Sequence, residues 1–390
     1  MLPPLAGHLL PALSLAAELT RRGHRVAWAG PEPVLRPVLG PEALIMPTGS
    51  RLFRQQAVGG TAAIRTLWQD FVVPYTRFTL PKVRQAVRDW HPDLVLVDQH
   101  SPAGALAAER YGVPWAGFAP SSMELGRPPL DEPGLEEWQQ GLLRDLWSRA
   151  GLNAAEYADP RFSARLILAC TAPVLLGVAP DTARAADSPP STPLPPRCAV
   201  VGPLLTDRPS TIGFPWEQLR PDRKHVLVTL GTLSASVAGD FLLRAADALR
   251  SVGDRVRAVV AAPAEVLERL PEEMLGFTEV PVLELLRQGA LDAVLCHGGM
   301  NTVCESLSHG VPLVLAPIRH DQPITAARVA AAGAGVVLDF ERAGAEQIRA
   351  ALLAVLDRPE PRLAAGELAR ELGSLGGAPR AADLLEECAV

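Results

Sequence analysis

The stretch LDAVLCHGGMNTVCESLSHGVPLVLAP, residues 291–317, decides the fold class. Its first apolar run is typical of a strand buried in a parallel sheet, and the Gly-rich turn after it leads into a helix. Gly310 and Pro312 end that helix, and LVLAP follows as the next strand. A strand, a helix and a strand in this order form a right-handed βαβ unit. The sequence therefore predicts an α/β protein with parallel sheets.

The turn of this unit is suited to an anion. Gly298 and Gly299 permit a close backbone approach, and Asn301 and Thr302 stand at the start of the helix. A helix start attracts a phosphate by about 0.3–1 kcal/mol, and by up to ~2 kcal/mol when it is partly buried. His297, at the strand end, can donate a hydrogen bond to the same anion.

One helical turn beyond Thr302, Glu305 can accept hydrogen bonds from a pair of sugar hydroxyls, and Asp321-Gln322 follows the next strand end on the same rim. Taken singly, these residues are explained as well by the alternative that Asn301 and Thr302 only cap a helix and Glu305 is solvated. It is their combined spacing that favours a binding site.

Outward from this unit, strand-like and helix-like segments alternate along the chain. The C-terminal half has HVLVTLG, RVRAVVAAP and LDAVLC as strands. In the N-terminal half, residues 11–23 (PALSLAAELTRRG) predict a helix, followed by RVAWAG, DLVLVD and VPWAGF as strands. The apolar run at 166–180 predicts a strand, a turn and a second strand. Residues 51–82 and 121–160 are less regular and rich in Trp and Phe, so we expect a lid or an acceptor pocket there.

Two domains are expected. A Pro-rich break at 187–196 precedes a turn-rich stretch. We place an N-terminal Rossmann-like domain at 1–204, a linker at 205–222 and a C-terminal Rossmann-like domain at 223–390. The last helix of the chain could pack back on the first domain. Two such domains would face each other across a cleft. A doubly wound domain usually opens with a buried strand. Here only MLPPLAG precedes the first helix, so the first N-terminal strand is expected to be missing.

Composition excludes several classes of protein. Across 390 residues, 48% are hydrophobic and 21% charged, as in a globular protein, and a net charge of −6 without a basic block gives no nucleic-acid footprint. Five cysteines without a CxxC pair predict a reduced, cytoplasmic setting rather than a disulfide framework. We expect no membrane span and no signal peptide. The chain is expected to be a monomer or a homodimer.

The polar residues of the C-terminal half carry a family resemblance. His297, Asn301, Thr302, Glu305, Asp321 and Gln322 stand at offsets of 0, 4, 5, 8, 24 and 25. This spacing resembles the nucleotide-sugar box of family 1 glycosyltransferases, inverting enzymes of the two-domain GT-B fold. The nearer resemblance is to bacterial natural-product members such as macrolide glycosyltransferases.

The resemblance implies a role for each of these positions. His297 and the Asn301-Thr302 pair would bind the diphosphate, with the backbone around Gly299 facing it. Glu305 would bind ribose, and Asp321 with Gln322 would bind hexose hydroxyls. Gly231-Thr232 resembles a turn of the family that approaches the phosphates, or else it is a plain turn. Where the family box opens with Trp-x-Pro-Gln, this chain has EVPV, residues 279–282. Base recognition would then use backbone groups near Val280. The sequence leaves open whether the donor is a UDP-sugar or a TDP-sugar.

The N-terminal half resembles the same family through LAGHLLPALSLAAELTRRGHRV. This implies that His8 is the catalytic base and that Asp98, at the end of LVLVD, orients it. The positive end of the helix after His8 would keep its ring neutral. The alternatives are a polar helix-start residue for His8 and a helix cap for Asp98. His100 is a reserve base, His24 is expected to be structural, and His309 and His320 are expected at a helix end and the rim.

The resemblance as a whole implies an inverting transferase. A hexose would pass from a UDP- or TDP-sugar to a hydroxyl of a small hydrophobic natural product. No metal is expected, because no Asp-x-Asp motif is present, and no cofactor is expected beyond the nucleotide-sugar co-substrate. The alternatives are a nucleotide-sugar epimerase of the same fold class and a non-catalytic auxiliary protein. The acceptor pocket is expected among the aromatic residues, each of which could equally be a core residue: Trp68, Phe71, Phe78 and Trp138.

Overall fold

The structure, a computed structural model, describes residues 1–49, 60–125, 134–178, 194–205, 212–231 and 239–389. The chain divides into two compact units, one formed by Met1–Thr206 with Leu375–Val390 and the other by Asp207–Ser374. The predicted linker at 205–222 begins beside this division, and its residues 206–211 lie outside the described residues, as do residues 187–193 of the Pro-rich break. No helix formed by the described residues is long and apolar enough to cross a membrane.

The first unit has two groups of parallel strands. The strands are β1 (Ala27–Gly30), β2 (Leu44–Pro47), β3 (Val95–Asp98), β4 (Trp115–Ala119), β5 (Ile167–Ala169) and β6 (Cys198–Val200). β1 pairs with β2, while β3, β4, β5 and β6 form a sheet in that order. Among the described residues no strand lies between β1 and β3. Met1 and Leu2 alone bridge them, because Met1 N donates to Leu96 O at 2.8 Å and Leu2 N donates to Ala29 O at 3.5 Å.

Helices cover the strands of this first unit. They are α1 (Ala6–Arg21), α2 (Glu32–Leu39), α3 (Gly60–Thr66), a π-helical turn (Leu67–Val72), α4 (Val73–Trp90), α5 (Ala103–Tyr111), α6 (Leu135–Arg149), a 3₁₀ turn (Ala154–Glu156) and α7 (Pro173–Leu176). A final helix of the chain, from Gly377 to Ala389, also belongs to this unit and packs on α1.

Three local predictions for this unit were wrong. Of the stretch at 51–82, predicted to be less regular, residues 60–82 belong to a continuous helical run that extends to Trp90, and α6 lies within the second such stretch, 121–160. Residues 51–59 and 126–133 lie outside the described residues. α1 begins at Ala6, so Pro11 lies inside the helix and not at its start. After β5 a short helix replaces the second predicted strand, because Pro173 fits the first helical position and Gly177, at φ 73°, fits the left-handed position that ends it.

The second unit is built on a six-stranded parallel sheet. Its strands are β7 (Lys224–Thr229), β8 (Val256–Ala261), β9 (Leu275–Phe277), β10 (Ala293–Cys296), β11 (Leu313–Leu315) and β12 (Gly335–Val337). Their order is β12-β11-β10-β7-β8-β9, which is the order of the Rossmann fold. The chain winds first to one side of β7 and then to the other. The switch point, where such folds bind ligands, therefore lies between β7 and β10.

The helices of this unit are a 3₁₀ turn (Trp216–Gln218), α8 (Gly239–Arg250), α9 (Ala264–Leu267), α10 (Val282–Arg287), α11 (Met300–Ser308), α12 (Gln322–Ala331), α13 (Ala345–Asp357) and α14 (Pro359–Ser374), and the final helix of the chain is α15. One core cluster joins the sheet to α8 and α13, with Val228, Leu295 and Phe241 fully or nearly fully buried. A sheet buried on both faces accounts for the uninterrupted apolar runs of β7 and β10.

Candidate functional site

The imidazole of His297 lies at the switch point of the second unit. His297 directly follows β10, and Gly231, at φ 70°, follows the neighbouring β7. Glycine is required around the ring, because a Cβ on Gly231 would lie 2.8 Å from His297 Cε1 and a Cβ on Gly299 only 2.6 Å from Nε2. The two strand ends and the start of α11 therefore converge on this side chain. Thr232, which the sequence predicted as a phosphate contact, lies outside the described residues.

His297 is held in its neutral form. Burial lowers its pKa to about 4, and the nearby Arg319 guanidinium lowers it further. Its Nδ1 atom is buried and has no hydrogen-bond partner among the described residues. A neutral ring still carries one N–H, which can donate to an anion.

The N-cap residue of α11 makes no side-chain hydrogen bond to the start of the helix. Gly299 occupies the N-cap position and contributes no side chain, and Asn301 and Thr302 are the second and third residues of the helix. The alternative that Asn301 or Thr302 caps the helix is therefore wrong. Glu305 is 8% exposed, so the alternative of a solvated carboxylate is also wrong. The helix dipole adds a partial positive charge at the point where the sequence predicted the diphosphate.

The loop after β11 is fixed by Gln322. Its Oε1 accepts hydrogen bonds from Ile318 N at 2.9 Å and Arg319 N at 3.0 Å. This leaves the side-chain NH₂ of Gln322 as the group that can reach a sugar hydroxyl. Asp321 directly precedes α12 and makes no capping hydrogen bond with its side chain. His320, the residue before Asp321, adopts φ 57°. This is a left-handed backbone conformation that non-glycine residues rarely take outside turns and functional sites.

Arg319 is a residue that the sequence motif did not reveal. Its side chain is 4% exposed, burial lowers its pKa, and its charge acts on His297. A buried guanidinium beside the helix start at which the sequence predicts the diphosphate is suited to neutralising such an anion. In the sequence, Arg319 is a single basic residue between two strand-end motifs. Such residues are too common for the sequence to single this one out.

The first unit brings His8 and Asp98 together. His8 lies in the first turn of α1, and Asp98 ends β3. The His8 Nδ1 atom and the Asp98 Oδ2 atom are 2.7 Å apart, with the His8 side chain 13% exposed and Asp98 fully buried. The second carboxylate oxygen accepts the backbone N–H of His100 at 2.8 Å, so Asp98 caps no helix. With Nδ1 directed at the carboxylate, Nε2 is the nitrogen left for a substrate.

His100 lies behind this pair. Its ring centroid is 5.1 Å from that of His8, and its Nε2 is 3.5 Å from Glu124 Oε1. Glu124 in turn accepts from Trp68 Nε1 at 3.1 Å and from Arg161 Nη1 at 3.0 Å. His100 is 3% exposed, which places it among buried charged groups rather than at a substrate surface.

The predicted acceptor aromatics do not form one pocket. Trp68 is fully buried and Phe71 is 2% exposed, both in one core cluster against which Trp138 packs. Phe71 stacks on Tyr75 at 5.4 Å between ring centroids. Phe78 lies elsewhere and is 48% exposed. The core role is therefore the one that Trp68 and Phe71 have in this structure.

The remaining predicted positions are ordinary turn and helix-end residues. Val280 lies in the turn before α10, and its C=O accepts from Val282 N at 2.9 Å, which leaves its N–H as the group that could reach a base. The Nδ1 atom of His309 lies 2.7 Å from Glu305 O at the end of α11. His24, which lies beyond the C-terminal end of α1, pairs with Glu386 at 2.9 Å.

One grouping of potential metal ligands occurs within the described part of the chain. His8, Asp98 and His100 each offer one ligand atom, all within 4.8 Å of one another. A cation there would have to replace the hydrogen bond between His8 and Asp98. The arrangement is therefore suited to proton transfer with His8 paired to Asp98, or to a metal, but not to both at once.

Comparisons with known proteins agree with this fold. Residues 246–388 match the family described as "Erythromycin biosynthesis protein CIII-like, C-terminal domain". The chain is 29% identical to 4'-demethylrebeccamycin synthase of Lentzea aerocolonigenes, over 98% of this chain and 97% of the relative. Among solved structures, the glycotransferase of kitacinnamycin is 26% identical with a TM-score of 0.77, covering 100% of this chain and 97% of its own.

A second solved structure shares the fold at lower identity. Spinosyn rhamnosyltransferase, solved in complex with thymidine diphosphate, is 24% identical with a TM-score of 0.76 and 98% coverage of both chains. Together the fold and the matches define a glycosyltransferase of the GT-B class. Within that class the chain is similar to family 1 natural-product glycosyltransferases, among them enzymes of antibiotic biosynthesis.

Proposed function

We propose that this glycosyltransferase moves a hexose, with inversion at the anomeric carbon, from a nucleoside diphosphate sugar to a hydroxyl of a small hydrophobic natural product. The observation that carries the proposal is the 2.7 Å pair of His8 Nδ1 and Asp98 Oδ2. A buried carboxylate that fixes Nδ1–H leaves Nε2 as a base for the acceptor hydroxyl, which is worth about 10²–10⁴ in rate. The acceptor oxygen then attacks C1 on the face opposite the nucleotide.

In this proposal the second unit holds the donor. The N-terminal end of α11 and the N–H of His297 bind the diphosphate, and Arg319 neutralises its charge as the bond to C1 breaks. Glu305 accepts from the ribose hydroxyls, while Asp321 and the NH₂ group of Gln322 bind the hexose. The site uses no metal and no cofactor, because these groups supply the positive charge.

The nucleotide of the donor is UDP or TDP. The spinosyn enzyme, which shares the fold, was solved with thymidine diphosphate, so TDP is the first nucleotide to test. The nucleotide that binds more tightly should raise the melting temperature more at equal concentration. Base contacts would come from the backbone N–H of Val280.

The test is transfer itself. The protein is incubated with UDP- and TDP-sugars and a panel of apolar aglycones, products are identified by mass spectrometry, and the anomeric configuration is read by NMR. We expect an inverted glycoside, lost in His8→Ala and kept in the matched control His24→Ala. Full activity of His8→Ala, or a product with retained configuration, would contradict the mechanism. Epimerised donor without acceptor would instead indicate an epimerase, and no conversion of any donor would indicate an auxiliary protein.

A further inference from the structure

Buried polar side chains connect the catalytic pair to the interior of the first unit. The ring of His100 packs against that of His8, with centroids 5.1 Å apart and ring planes tilted by 45°. His100 Nε2 lies 3.5 Å from Glu124 Oε1, and Arg161 Nη1 donates to Glu124 Oε2 at 3.0 Å. We call His100, Glu124 and Arg161 the support cluster. Its members are 3%, 6% and 2% exposed, so the cluster lies below any surface that a substrate could touch.

Glu124 is the fixed centre of the support cluster. Its Oε1 accepts from Trp68 Nε1 at 3.1 Å, and its Oε2 accepts from Gln139 Nε2 at 3.1 Å as well as from Arg161. These donors come from three separate segments of the chain. The edge of Trp68 also meets His100, with ring centroids 6.4 Å apart and planes at 86°. Glu124 cannot rotate without breaking several hydrogen bonds, so it offers His100 an acceptor in a fixed place.

Arg161 balances the charge of this buried carboxylate. Its Nη2 donates to Glu136 Oε1 at 2.6 Å and to Asp159 Oδ2 at 2.7 Å, while its Nη1 donates to Glu124. Removing such charges from water is costly, and apolar side chains of similar volume often stabilise a fold equally well. Stability alone therefore does not account for a charged cluster at this point. Its contact with the catalytic base indicates a role in the reaction.

His100 supports both members of the catalytic pair. Its backbone N–H donates to Asp98 Oδ1 at 2.8 Å, and its ring packs on His8. The bond from His8 Nδ1 to Asp98 Oδ2 fixes one point of the imidazole and leaves the ring free to turn about that bond. Because side chains in a protein interior are close-packed, the ring of His100 blocks this turn on one side. The direction of His8 Nε2, the atom that meets the acceptor, therefore depends on both contacts.

We propose that His100 is a positioning residue, whose ring holds the imidazole of His8 in the orientation needed to deprotonate the acceptor hydroxyl. Glu124 and Arg161 fix that ring in turn, and His100 itself takes no proton from the substrate. The inference rests on the proposed function, because it gives a partner to the base His8. A displacement of about 1 Å at a reacting group can cost about 10²-fold in rate, so loss of this support should be visible in kcat.

The test compares His100→Ala with His100→Phe. Alanine removes the ring, so kcat for sugar transfer should fall by about 10²-fold while KM for the nucleotide sugar stays within about twofold. Phenylalanine restores a ring without a hydrogen-bonding atom, so its kcat should be at least about tenfold above that of the alanine variant. The matched control is Leu143→Ala, which opens a cavity at a fully buried residue of α6 in the same unit. Its kcat should equal that of the unmodified protein at temperatures where all the variants are folded.

A second readout does not depend on turnover. The Nδ1–H proton of His8, held by the Asp98 carboxylate, should give a downfield proton NMR signal that is absent in His8→Gln. In His100→Ala this signal should broaden or move upfield, because the imidazole is no longer held in one orientation. The signal should persist in His100→Phe and in Leu143→Ala.

The outcomes separate this inference from the proposed function. A His8 signal and a kcat that are both unchanged in His100→Ala would overturn the positioning role and leave His8 as the base. Equal kcat in the alanine and phenylalanine variants would also overturn it, because the ring would then make no difference. A loss in Leu143→Ala as large as that in His100→Ala would do the same, since any cavity in the unit would have that effect. Absence of the His8 signal from the unmodified protein would contradict the catalytic pair itself, and the proposed function would fall together with this inference.

Discussion

His8 Nδ1 and Asp98 Oδ2 are 2.7 Å apart, and the other carboxylate oxygen of Asp98 accepts the backbone N–H of His100 at 2.8 Å. The carboxylate is therefore fixed at both oxygens before any substrate binds. A fixed, buried carboxylate selects the His8 tautomer with the proton on Nδ1 and stabilises the imidazolium that forms when Nε2 takes a proton. These two side chains come from residues 90 positions apart in the chain.

Replacing Asp98 with Asn tests this tautomer control. The side-chain NH₂ of the asparagine can donate to His8 Nδ1 and so favours the tautomer that carries its proton on Nε2. A protonated Nε2 cannot take the proton of a hydroxyl. We expect kcat for sugar transfer to fall by about 10²–10⁴ while KM for the nucleotide sugar stays within about twofold.

The matched control is Asp93→Asn, an exposed carboxylate just before the start of the same strand. Its kcat should equal that of the unmodified protein. If Asp98→Asn kept full kcat, Asp98 would be a structural residue only, and the orienting role would have to be abandoned.

The protonation of His297 predicts a pH dependence of stability. Its folded pKa of about 4 lies below the ordinary value of 6.5 because the ring is buried, so the unfolded chain binds the proton more readily. The stabilisation is therefore fully present above pH 6.5 and is lost as the pH falls toward 4. The loss should amount to roughly 3 kcal/mol, measured as the free energy of unfolding in urea.

His297→Gln isolates this effect, because glutamine does not titrate. Between pH 7 and pH 4.5 the variant should lose less unfolding free energy than the unmodified protein. Parallel pH profiles for the two proteins would show that His297 titrates normally and that its burial has no energetic consequence.

The sequence predicted the second unit better than the first. Strand β10, the Gly-rich turn and α11 were recognised because a buried strand, a glycine pair and a polar helix start each leave a local signal. The run at 60–90 was missed because Pro74 and Pro81 interrupt its pattern, and because a π-helical turn shifts the helical period at Trp68. Helix burial on several sides also removes the amphipathic signal.

The parts that sequence reasoning missed depend on pairing across the fold. Arg319 lowers the pKa of His297 only because two strand ends lie side by side. No local sequence motif predicts this proximity. The hydrogen bonds of Met1 and Leu2 to β3 and β1 likewise depend on the strand order, which the sequence does not print.

Arg319 should contribute to nucleotide affinity through its charge. Hydrogen bonds to charged groups are worth about 1.5–3 kcal/mol, so Arg319→Ala should weaken binding of TDP or UDP by about 10- to 100-fold, measured by calorimetry. Arg319→Lys should recover part of the affinity, because it restores the charge without the planar fork. Arg349→Ala, an exposed arginine that pairs with Glu346, serves as the control. Unchanged affinity in Arg319→Ala would assign the residue to loop packing.

Removal of divalent metal ions tests the proposal that the site works without them. Sugar transfer should be unchanged in excess EDTA, because α11, His297 and Arg319 supply the positive charge near the diphosphate. Added Zn²⁺ should instead inhibit, because His8, Asp98 and His100 can bind it only by giving up the hydrogen bond that positions the base. Activation by a divalent ion would contradict both expectations.

The glycines around His297 give a test of the site that does not depend on turnover. Gly299 has φ −64°, which any residue adopts, so the only obstacle to alanine there is the 2.6 Å approach of its Cβ to His297 Nε2. Gly299→Ala should therefore destabilise the protein and weaken nucleotide binding together, since the ring must move. Gly366→Ala, inside α14 with no atom within 4 Å of the added Cβ, should instead stabilise it by about 0.5–1 kcal/mol.

A double-mutant cycle separates the clash from other effects of alanine. In the background of His297→Ala the imidazole is absent, so Gly299→Ala should cost at least about 1 kcal/mol less than it does in the unmodified protein. Gly366→Ala should give the same stabilisation in both backgrounds, because it does not contact the ring. A cost for Gly299→Ala that did not depend on His297 would place the requirement for glycine in the backbone of the turn, and the close contact between the turn and the imidazole would then have no role in positioning the ring.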